Sequence, residues 1–264
     1  MLRLSLLSFI LFATQLSSAQ VKIGEVLIVG HQELKHTIDE EAFQNVVRED
    51  LINKLPADLQ STYHLLKGDR GNRKGKYLFV HSTEKINEPK ASDHVAAMER
   101  ITSGSKQLQA HLASPNAFSE YHLIGAGKVR NLPTSGILGL HFIKVRNERA
   151  TDFENLVEKK LHPAVSKLFP DMQMFYYKCV AGENTGSYLA LFTIDSPDAR
   201  HKYWPEGKPE TDILKKTFKP LESLAKELGT YLEPGTFLEP DSGGAAAYWE
   251  SKEWTDYVHT SYLK

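Results

Sequence analysis

The sequence contains very little cysteine, since Cys179 is the single thiol among 264 residues. One thiol excludes an intramolecular disulfide, and no Cys-x-x-Cys spacing exists to bind zinc. The fold must therefore be held by an apolar core, which a chain that is 41% hydrophobic can supply. We interpret Cys179 as an inert, buried thiol.

An excess of charge of either sign is also missing. The 32 Lys and Arg residues balance 33 Asp and Glu residues, which leaves a net charge of -1 and a pI near 6.8. Nucleic acid and anionic lipid are therefore not expected as partners. The basic stretch Lys67–Lys76 lies among Gly and Asn and is interpreted as a solvated turn.

Local catalytic and metal-binding motifs are absent as well. The eleven histidines form no His-x-His or His-Glu-x-x-His, and no nucleophile elbow, phosphate loop or dinucleotide fingerprint occurs. The carboxylates are scattered over predicted helix surfaces, and no pair of them stands out. We therefore predict no metal and no cofactor, and nothing favours a hydrolase.

Long hydrophobic runs are missing everywhere except at the N-terminus. Leu4–Leu16 is mostly apolar, follows Arg3 and precedes the small residues Ser17-Ser18-Ala19. This pattern is typical of a signal peptide, although a retained anchor is the alternative, and the run is too short for an ordinary membrane span. We predict cleavage near Ala19, a periplasmic or secreted location, and no membrane span in the mature form.

Apolar positions recur about 110 residues further along the chain. The matched pairs are Phe43 and Phe153, Asn45 and Asn155, Val47 and Val157, Leu51 and Leu161, Tyr77 and Tyr188, and Tyr121 and Tyr231. An offset held to within one residue over about 80 positions predicts an internal duplication.

Each copy reads as strand, helix, hairpin, helix and strand. The predicted strands are Glu25–His31, Thr62–Lys67, Lys76–Ser82 and Tyr121–Ile124, and then Ile137–Val145, Met172–Val180, Ser187–Ile194 and Thr230–Leu232. Apolar residues spaced by three and four mark the helices. The predicted fold class is α+β, with two tandem ferredoxin-like β-α-β-β-α-β units packed sheet to sheet as a pseudo-dimer.

The predicted domains follow from this repeat. They are a signal peptide at 1–19, a first unit at 20–126, a linker at 127–135, a second unit at 136–240 and a C-terminal aromatic extension at 241–264. In the extension we predict a short strand, Ala245–Trp249, and a short helix, Ser251–His259, that dock onto the units. A pseudo-dimer of this kind should be a monomer or a weak homo-oligomer.

Duplicated β-α-β-β-α-β units with a Phe-x-x-Val-x-x-x-Leu helix resemble the dimeric α+β barrel superfamily. The NIPSNAP-like and antibiotic-biosynthesis-monooxygenase-like groups are nearest, and the resemblance covers roughly Val21–Pro240. It implies a ligand cavity between a sheet face and its helices. The superfamily includes cofactor-free oxygenases and haem-handling enzymes. The Asn–Trp–His set of the haem-degrading members is not recognisable here, so no catalytic residue is assigned.

Candidate ligand-binding residues come from the predicted strands and from one loop. His31 and His141 lie near corresponding first-strand positions and are candidates for a shared cavity. Alternation within Met172–Val180 places Phe175, Tyr177 and Cys179 on one face. The aromatic loop His201–Pro209 is a candidate lid. The predicted ligand-binding set is His141, Tyr177, Trp204, Tyr188 and His31, chiefly in the second copy, with ordinary packing as the alternative.

Two classes of function remain open at this point. The first is an exported protein that binds a small apolar or aromatic molecule without chemistry. The second is a cofactor-independent oxygenase or isomerase in which His or Tyr handles a proton. A closed pocket with convergent His and Tyr side chains would favour catalysis, and a purely apolar one would favour binding.

Overall fold

A computed structural model describes most of the chain after residue 19. The described residues are 20–36, 38–55, 60, 62–83, 91–115, 117–124, 130–133, 135–169, 172–206, 211–234, 236 and 253–260. The predicted signal peptide and the predicted strand at Ala245–Trp249 lie outside them.

The described residues form ten strands and eight α-helices. The strands are β1 Gln20–Ile23, β2 Val26–Gln32, β3 Tyr63–Gly71, β4 Tyr77–Thr83, β5 Phe118–Leu123, β6 Arg130–Pro133, β7 Ile137–Ile143, β8 Met172–Gly182, β9 Tyr188–Ile194 and β10 Trp254–His259. The helices are α1 Glu40–Val46, α2 Ala91–Gly104, α3 Lys106–His111, α4 Ala150–Leu156, α5 His162–Leu168, α6 Pro197–Tyr203, α7 Asp212–Phe218 and α8 Glu222–Gly229. None of these helices is long and apolar enough to cross a bilayer.

Eight of the strands close into an antiparallel barrel. Their order around it is β10-β3-β4-β2-β5-β8-β9-β7, and β10 also pairs with β7 to complete the ring. The order β3-β4-β2-β5 in the first half matches the order β8-β9-β7-β10 in the second half. A closed barrel leaves none of these eight strands with an unpaired edge.

The barrel separates three groups of buried side chains. Inside it, side chains from all eight strands pack together; we call this group the lumen core, and it includes Leu27, Leu66, Leu78, Tyr121, Leu138, Leu140, Tyr177, Leu189 and Tyr257. Outside it, the helices of the first half pack on the sheet through a group that includes Phe43, Val47 and Phe79. The helices of the second half pack on the sheet through a group that includes Phe153, Val157 and Phe192, which we call the second outer core.

The first helix of each half has the same shape. In α1 the side chain of Asp39 caps the N-terminus by accepting from the backbone N–H of Glu41. A π-helical turn then follows each helix, at Val47–Leu51 after α1 and at Val157–Leu161 after α4. The two π turns begin at Val47 and Val157, which are 110 residues apart, the same offset as that between Phe43 and Phe153. Phe43 and Phe153 are fully buried on the sheet-facing side, as predicted.

The predicted hairpins are present, and they require glycine. The turn between β3 and β4 has Gly71 and Gly75 at φ 93° and 79°, and the turn between β8 and β9 has Gly182 and Gly186 at 96° and 88°. Residues with a side chain rarely adopt such angles. A Cβ added at the first glycine of each pair would lie within 2.3 Å of a backbone oxygen on a neighbouring strand. No larger residue therefore fits at these two positions.

Three features of the predicted organisation are wrong. The predicted linker contains β6, which pairs with β1 in a separate two-stranded sheet. Thr230–Leu232 is not a strand, because Leu232 forms only a single bridge to Val145. The place beside β7 is taken instead by β10, which we had predicted as part of a helix over Ser251–His259.

Candidate functional site

Strand β7 divides its side chains between the two faces of the barrel wall. Leu138 and Leu140 belong to the lumen core, whereas Ile137 and Ile143 belong to the second outer core. His141 shares the parity of the outer residues and therefore points outward beneath the helices. The resemblance to the dimeric α+β barrel superfamily implies a cavity in this layer, and the structure has one at His141.

The cavity lies between the barrel wall and the helices of the second half. It is lined by Arg70, Gly139, His141, Met172, Phe192, Ile194, Trp204, Phe218, Trp254 and Asp256. The centre of a water molecule can occupy about 90 Å³ of this cavity. Since one water needs about 10–15 Å³ on that measure, there is room for a molecule of about one substituted ring.

Aromatic rings surround the imidazole of His141. The ring of Phe192 meets it edge to face, with centroids 4.9 Å apart, and the indole of Trp254 lies nearly parallel to it at 6.2 Å. Trp204, at the C-terminal cap of α6, provides a further wall and is half-buried. Flat faces and edges on several sides favour a planar aromatic guest over a branched aliphatic one.

An ion network centred on the buried Arg200 adjoins the cavity through Asp256. The guanidinium of Arg200 lies 2.7 Å from the carboxylate of Asp69 and 3.1 Å from Oδ2 of Asp256. The second oxygen of Asp256, Oδ1, lies over Gly139, where a Cβ would come within 3.1 Å of it. Glycine at 139 therefore leaves space beside a carboxylate oxygen that faces the cavity.

Arg70 links the first half of the chain to this wall. Its guanidinium donates to the backbone carbonyl of Trp204 at 2.9 Å and contacts the Nε2 of His201 at 2.9 Å. The end of β3 is thereby attached to the segment that carries the Trp204 indole. The described part of the predicted lid, residues 201–206, thus contributes Trp204 to the cavity, and residues 207–210 lie outside the described part.

Burial sets the protonation of the two central groups. Desolvation lowers the pKa of His141 to about 3, so its imidazole is neutral near pH 7. Burial raises the pKa of the Asp256 carboxyl, against the opposing effect of the Arg200 guanidinium. The cavity therefore offers a neutral imidazole, a carboxyl group and the guanidinium of Arg70.

His31 does not join this site. Residues 27–31 and 138–142 hold equivalent places, because Leu27 lies opposite Tyr121 and Leu138 lies opposite Tyr257. On this register His31 corresponds to Phe142, and its ring lies 5.4 Å from that ring at one end of the lumen. The residue that corresponds to His141 is Gly30, so the predicted pairing of the two histidines is wrong by one residue, which exchanges the faces.

The same register shows how the first half differs at the position that corresponds to His141. Gly30 lies opposite Phe118, and the ring of Phe118 would come within 2.4 Å of any Cβ at position 30. Phe118 therefore fills the space that is open beside His141. Trp254 holds the corresponding place in the second half, opposite His141.

Tyr177 and Tyr188 also lie away from the cavity. Tyr177 is in the lumen core, where its hydroxyl donates to the backbone carbonyl of Gly24 at 2.8 Å. Tyr188 lies under α4 and donates to Glu154 at 2.7 Å. Both residues have structural partners, so the structure assigns neither to the wall of the cavity.

Substituting Tyr177→Phe tests this assignment. The change removes one hydroxyl and leaves the Gly24 carbonyl unpaired in a buried place, which should lower the free energy of unfolding by about 1–2 kcal/mol. We expect the affinity of the cavity for a ligand to be unchanged. Urea denaturation measures the first quantity, and a ligand titration measures the second. A loss of ligand binding without a loss of stability would show that Tyr177 belongs to the binding site.

Trp254, Asp256 and Arg70 are site residues that the sequence reasoning missed. Trp254, Thr255, Tyr257 and Val258 are aromatic or β-branched residues, which are enriched in strands. That composition was the available signal. Arg70 carried no signal, because its contact with Trp204 joins residues 134 apart in sequence.

Comparisons with known proteins place the fold but not the family. No protein-family model matches the chain, and no curated protein matches it. Among solved structures, an anthrone oxidase-like protein has a TM-score of 0.51 at 10% identity, over 90% of this chain and 94% of that one. This likeness shows a shared fold.

Two further solved structures are candidate monooxygenases. The protein from Lactobacillus acidophilus has a TM-score of 0.46 at 12% identity, over 89% of this chain and 93% of that one. The protein from Fusobacterium nucleatum has a TM-score of 0.44 at 11% identity, over 90% of this chain and 92% of that one. Within the residues described above, no three or more His, Cys, Asp or Glu side chains are grouped as a metal site would require.

Proposed function

We propose that this protein binds a small planar aromatic molecule in the cavity between β7, β10 and the helices of the second half. The observation that carries the proposal is the set of rings around His141, with one carboxylate oxygen facing the same space. Mostly apolar walls with few polar groups are typical of small-molecule sites. A phenol would match both the aromatic rings and the carboxylate oxygen. Its ring would lie against the aromatic walls, and its hydroxyl would donate to Oδ1 of Asp256.

Binding without chemistry is favoured by the state of His141. A general base works best when its pKa lies near the operating pH, and burial holds the pKa of His141 near 3. Such an imidazole is neutral but only weakly basic. No tyrosine lines the cavity among the described residues, so the convergent His and Tyr pair that would favour catalysis is not formed.

Cofactor-independent oxygenation is the second candidate, and the fold shared with an anthrone oxidase-like protein favours it. His141 would take a proton from an activated methylene, and the carbanion would add to dioxygen. Loss of water from the hydroperoxide would then leave a carbonyl, so that one CH₂ group and one O₂ give one C=O group and one water. An oxygen electrode with an activated cyclic ketone decides between the candidates. Uptake that requires His141 supports oxygenation, and its absence supports binding.

Two variants change the cavity with little disturbance elsewhere. Gly139→Ala places a methyl group beside Asp256 and Phe192, and Trp204→Ala removes an aromatic wall. Since an aromatic contact contributes about 0.5–1.5 kcal/mol, we expect Trp204→Ala to weaken phenol binding about twofold to tenfold. We expect a loss at least as large from Gly139→Ala. Titrations followed by NMR measure the affinities.

The controls use another glycine and another alcohol. Gly229→Ala adds the same methyl group in open space at the end of α8 and should leave binding unchanged. Cyclohexanol has the size of phenol without its flat ring and should bind more weakly. Equal affinity of all three variants for phenol, or preference for cyclohexanol, would contradict the proposed site.

We also propose the finer organisation that the sequence suggests. The matching strand orders, π turns and hairpin glycines support two ferredoxin-like units that arose by duplication and form a pseudo-dimer, with β10 from the extension completing the second. We propose, from the sequence alone, that the chain belongs to the NIPSNAP-like or antibiotic-biosynthesis-monooxygenase-like groups. We also propose, from the sequence alone, that it is exported to the periplasm or medium after cleavage near Ala19.

A further inference from the structure

A second cavity opens at one mouth of the barrel. About 370 Å³ of it is open to the centre of a water-sized sphere. Val29 and His31 of β2, Tyr121 of β5, Arg73 of the first hairpin turn and Asn184 of the second lie on its wall. It shares no lining residue with the cavity at His141. An inference about this second cavity is therefore independent of the proposed function.

Two buried polar atoms at this mouth have no partner. The hydroxyl of Tyr121 belongs to a side chain with 0% of its surface exposed and forms no hydrogen bond within the described part of the chain. The side chains of Ser119, Asn184, Ser187 and Cys179 lie near this hydroxyl, but none of them meets the geometry of a hydrogen bond with it. Asn184 instead donates to Ser119. The Nδ1 of His31 is likewise buried and unpartnered there. Buried polar atoms are nearly always bonded, so this pair indicates a place for a polar guest.

Arg73 supplies a positive charge at the same place. Its guanidinium lies close enough to influence both His31 and Tyr257, and no ion pair of Arg73 occurs in the described ranges. Glu33, on the same wall, is paired with Lys76 and also interacts with the charge of Arg73, and Glu183 is exposed. Burial, Arg73 and Lys76 together lower the pKa of His31 to about 3, so this ring is a neutral hydrogen-bonding group.

We propose that the barrel mouth binds a small organic carboxylate. The Arg73 guanidinium and the Tyr121 hydroxyl would donate to the carboxylate oxygens, and His31 would donate through Nδ1 in the tautomer that carries its proton there. The apolar part of the ligand would rest against Val29 and the ring of Phe142, which packs on His31. A neutral ligand of the same shape could not form an ion pair with Arg73.

Calorimetric titration of the full chain with benzoate and with benzamide tests this site. We expect benzoate to bind at least tenfold more tightly than benzamide. Tyr121→Phe and Arg73→Gln should each weaken benzoate binding about tenfold. Lys74→Gln removes an exposed positive charge next to Arg73 and should leave it unchanged. Circular dichroism of each variant confirms that the fold is retained.

Several results would overturn the proposal. They are no benzoate binding by the wild-type chain, equal binding of benzamide, and full benzoate affinity in both Tyr121→Phe and Arg73→Gln. Benzoate binding that is lost in Trp204→Ala and kept in Tyr121→Phe would place the anion in the His141 cavity instead. Phenol binding that fails while benzoate binding stands would remove the proposed function and leave this site intact.

Discussion

A chain that ends before Glu253 should lose both its cooperative unfolding and its binding of phenol. Strand β10 closes the barrel by pairing with β3 on one side and β7 on the other. It also places Tyr257 and Val258 in buried positions, each worth about 1.5–3 kcal/mol of apolar burial. With the hydrogen bonds to two strands, the loss should exceed about 5 kcal/mol, which is comparable to the whole stability of a small domain.

The truncation should also expose two strand edges, and exposed edges pair with other chains. Size-exclusion chromatography should therefore show aggregates, while differential scanning calorimetry shows no sharp transition. A synthetic peptide of residues 251–264 should restore the transition by adding the missing strand. A truncated chain with an unchanged melting temperature and unchanged phenol affinity would refute the role of β10.

Stability should fall steeply as the pH drops from 7 to 5. Burial lowers the pKa of five histidines, to about 3 for His31, His64 and His141 and to about 4 for His81 and His259. Below about pH 6.5 the unfolded chain binds protons that the folded chain refuses, so stability rises with pH across this window and is lost as pH falls. Each group adds up to about 1.4 kcal/mol per pH unit.

Denaturation curves at half-unit steps of pH measure this slope. We expect a decline of several kcal/mol per pH unit and acid unfolding at about pH 5. His64→Met removes one buried titrating ring and should lower the slope by up to about 1.4 kcal/mol per pH unit. His36→Gln changes an exposed histidine and serves as the control. Constant stability from pH 7 to 5 would show that the buried histidines can take up protons in the folded chain.

Local pattern predicted most of the strands and the hairpins. The predicted Ser187–Ile194 and observed β9, Tyr188–Ile194, differ by one residue, because β-branched and apolar residues bounded by glycine turns define such a strand locally. The extension was the main failure. Trp254–His259 was read as a helix, and its identity as a strand depends on β3 and β7, which lie more than 100 residues earlier.

The prediction of the site was also limited, because the alternation of side chains along a strand does not tell which face of the sheet lines a cavity. The expected alternation in β8 is confirmed, since Phe175, Tyr177 and Cys179 face the lumen and Met174 and Tyr176 face the helices. Sequence alone did not show which of these faces carries the open space. That choice depends on whether Phe118 or Trp254 fills the volume beside the first strand, which only the register across the barrel reveals.

The indole N–H signals of the protein give the most direct test of the proposed site. Substitutions Trp204→Phe and Trp254→Phe assign two of these signals in a spectrum of the ¹⁵N-labelled chain. If phenol binds between the walls around His141, both signals shift together with one dissociation constant, and Gly139→Ala weakens that constant. Saturating binding of phenol that moves neither the Trp204 nor the Trp254 signal would contradict the account.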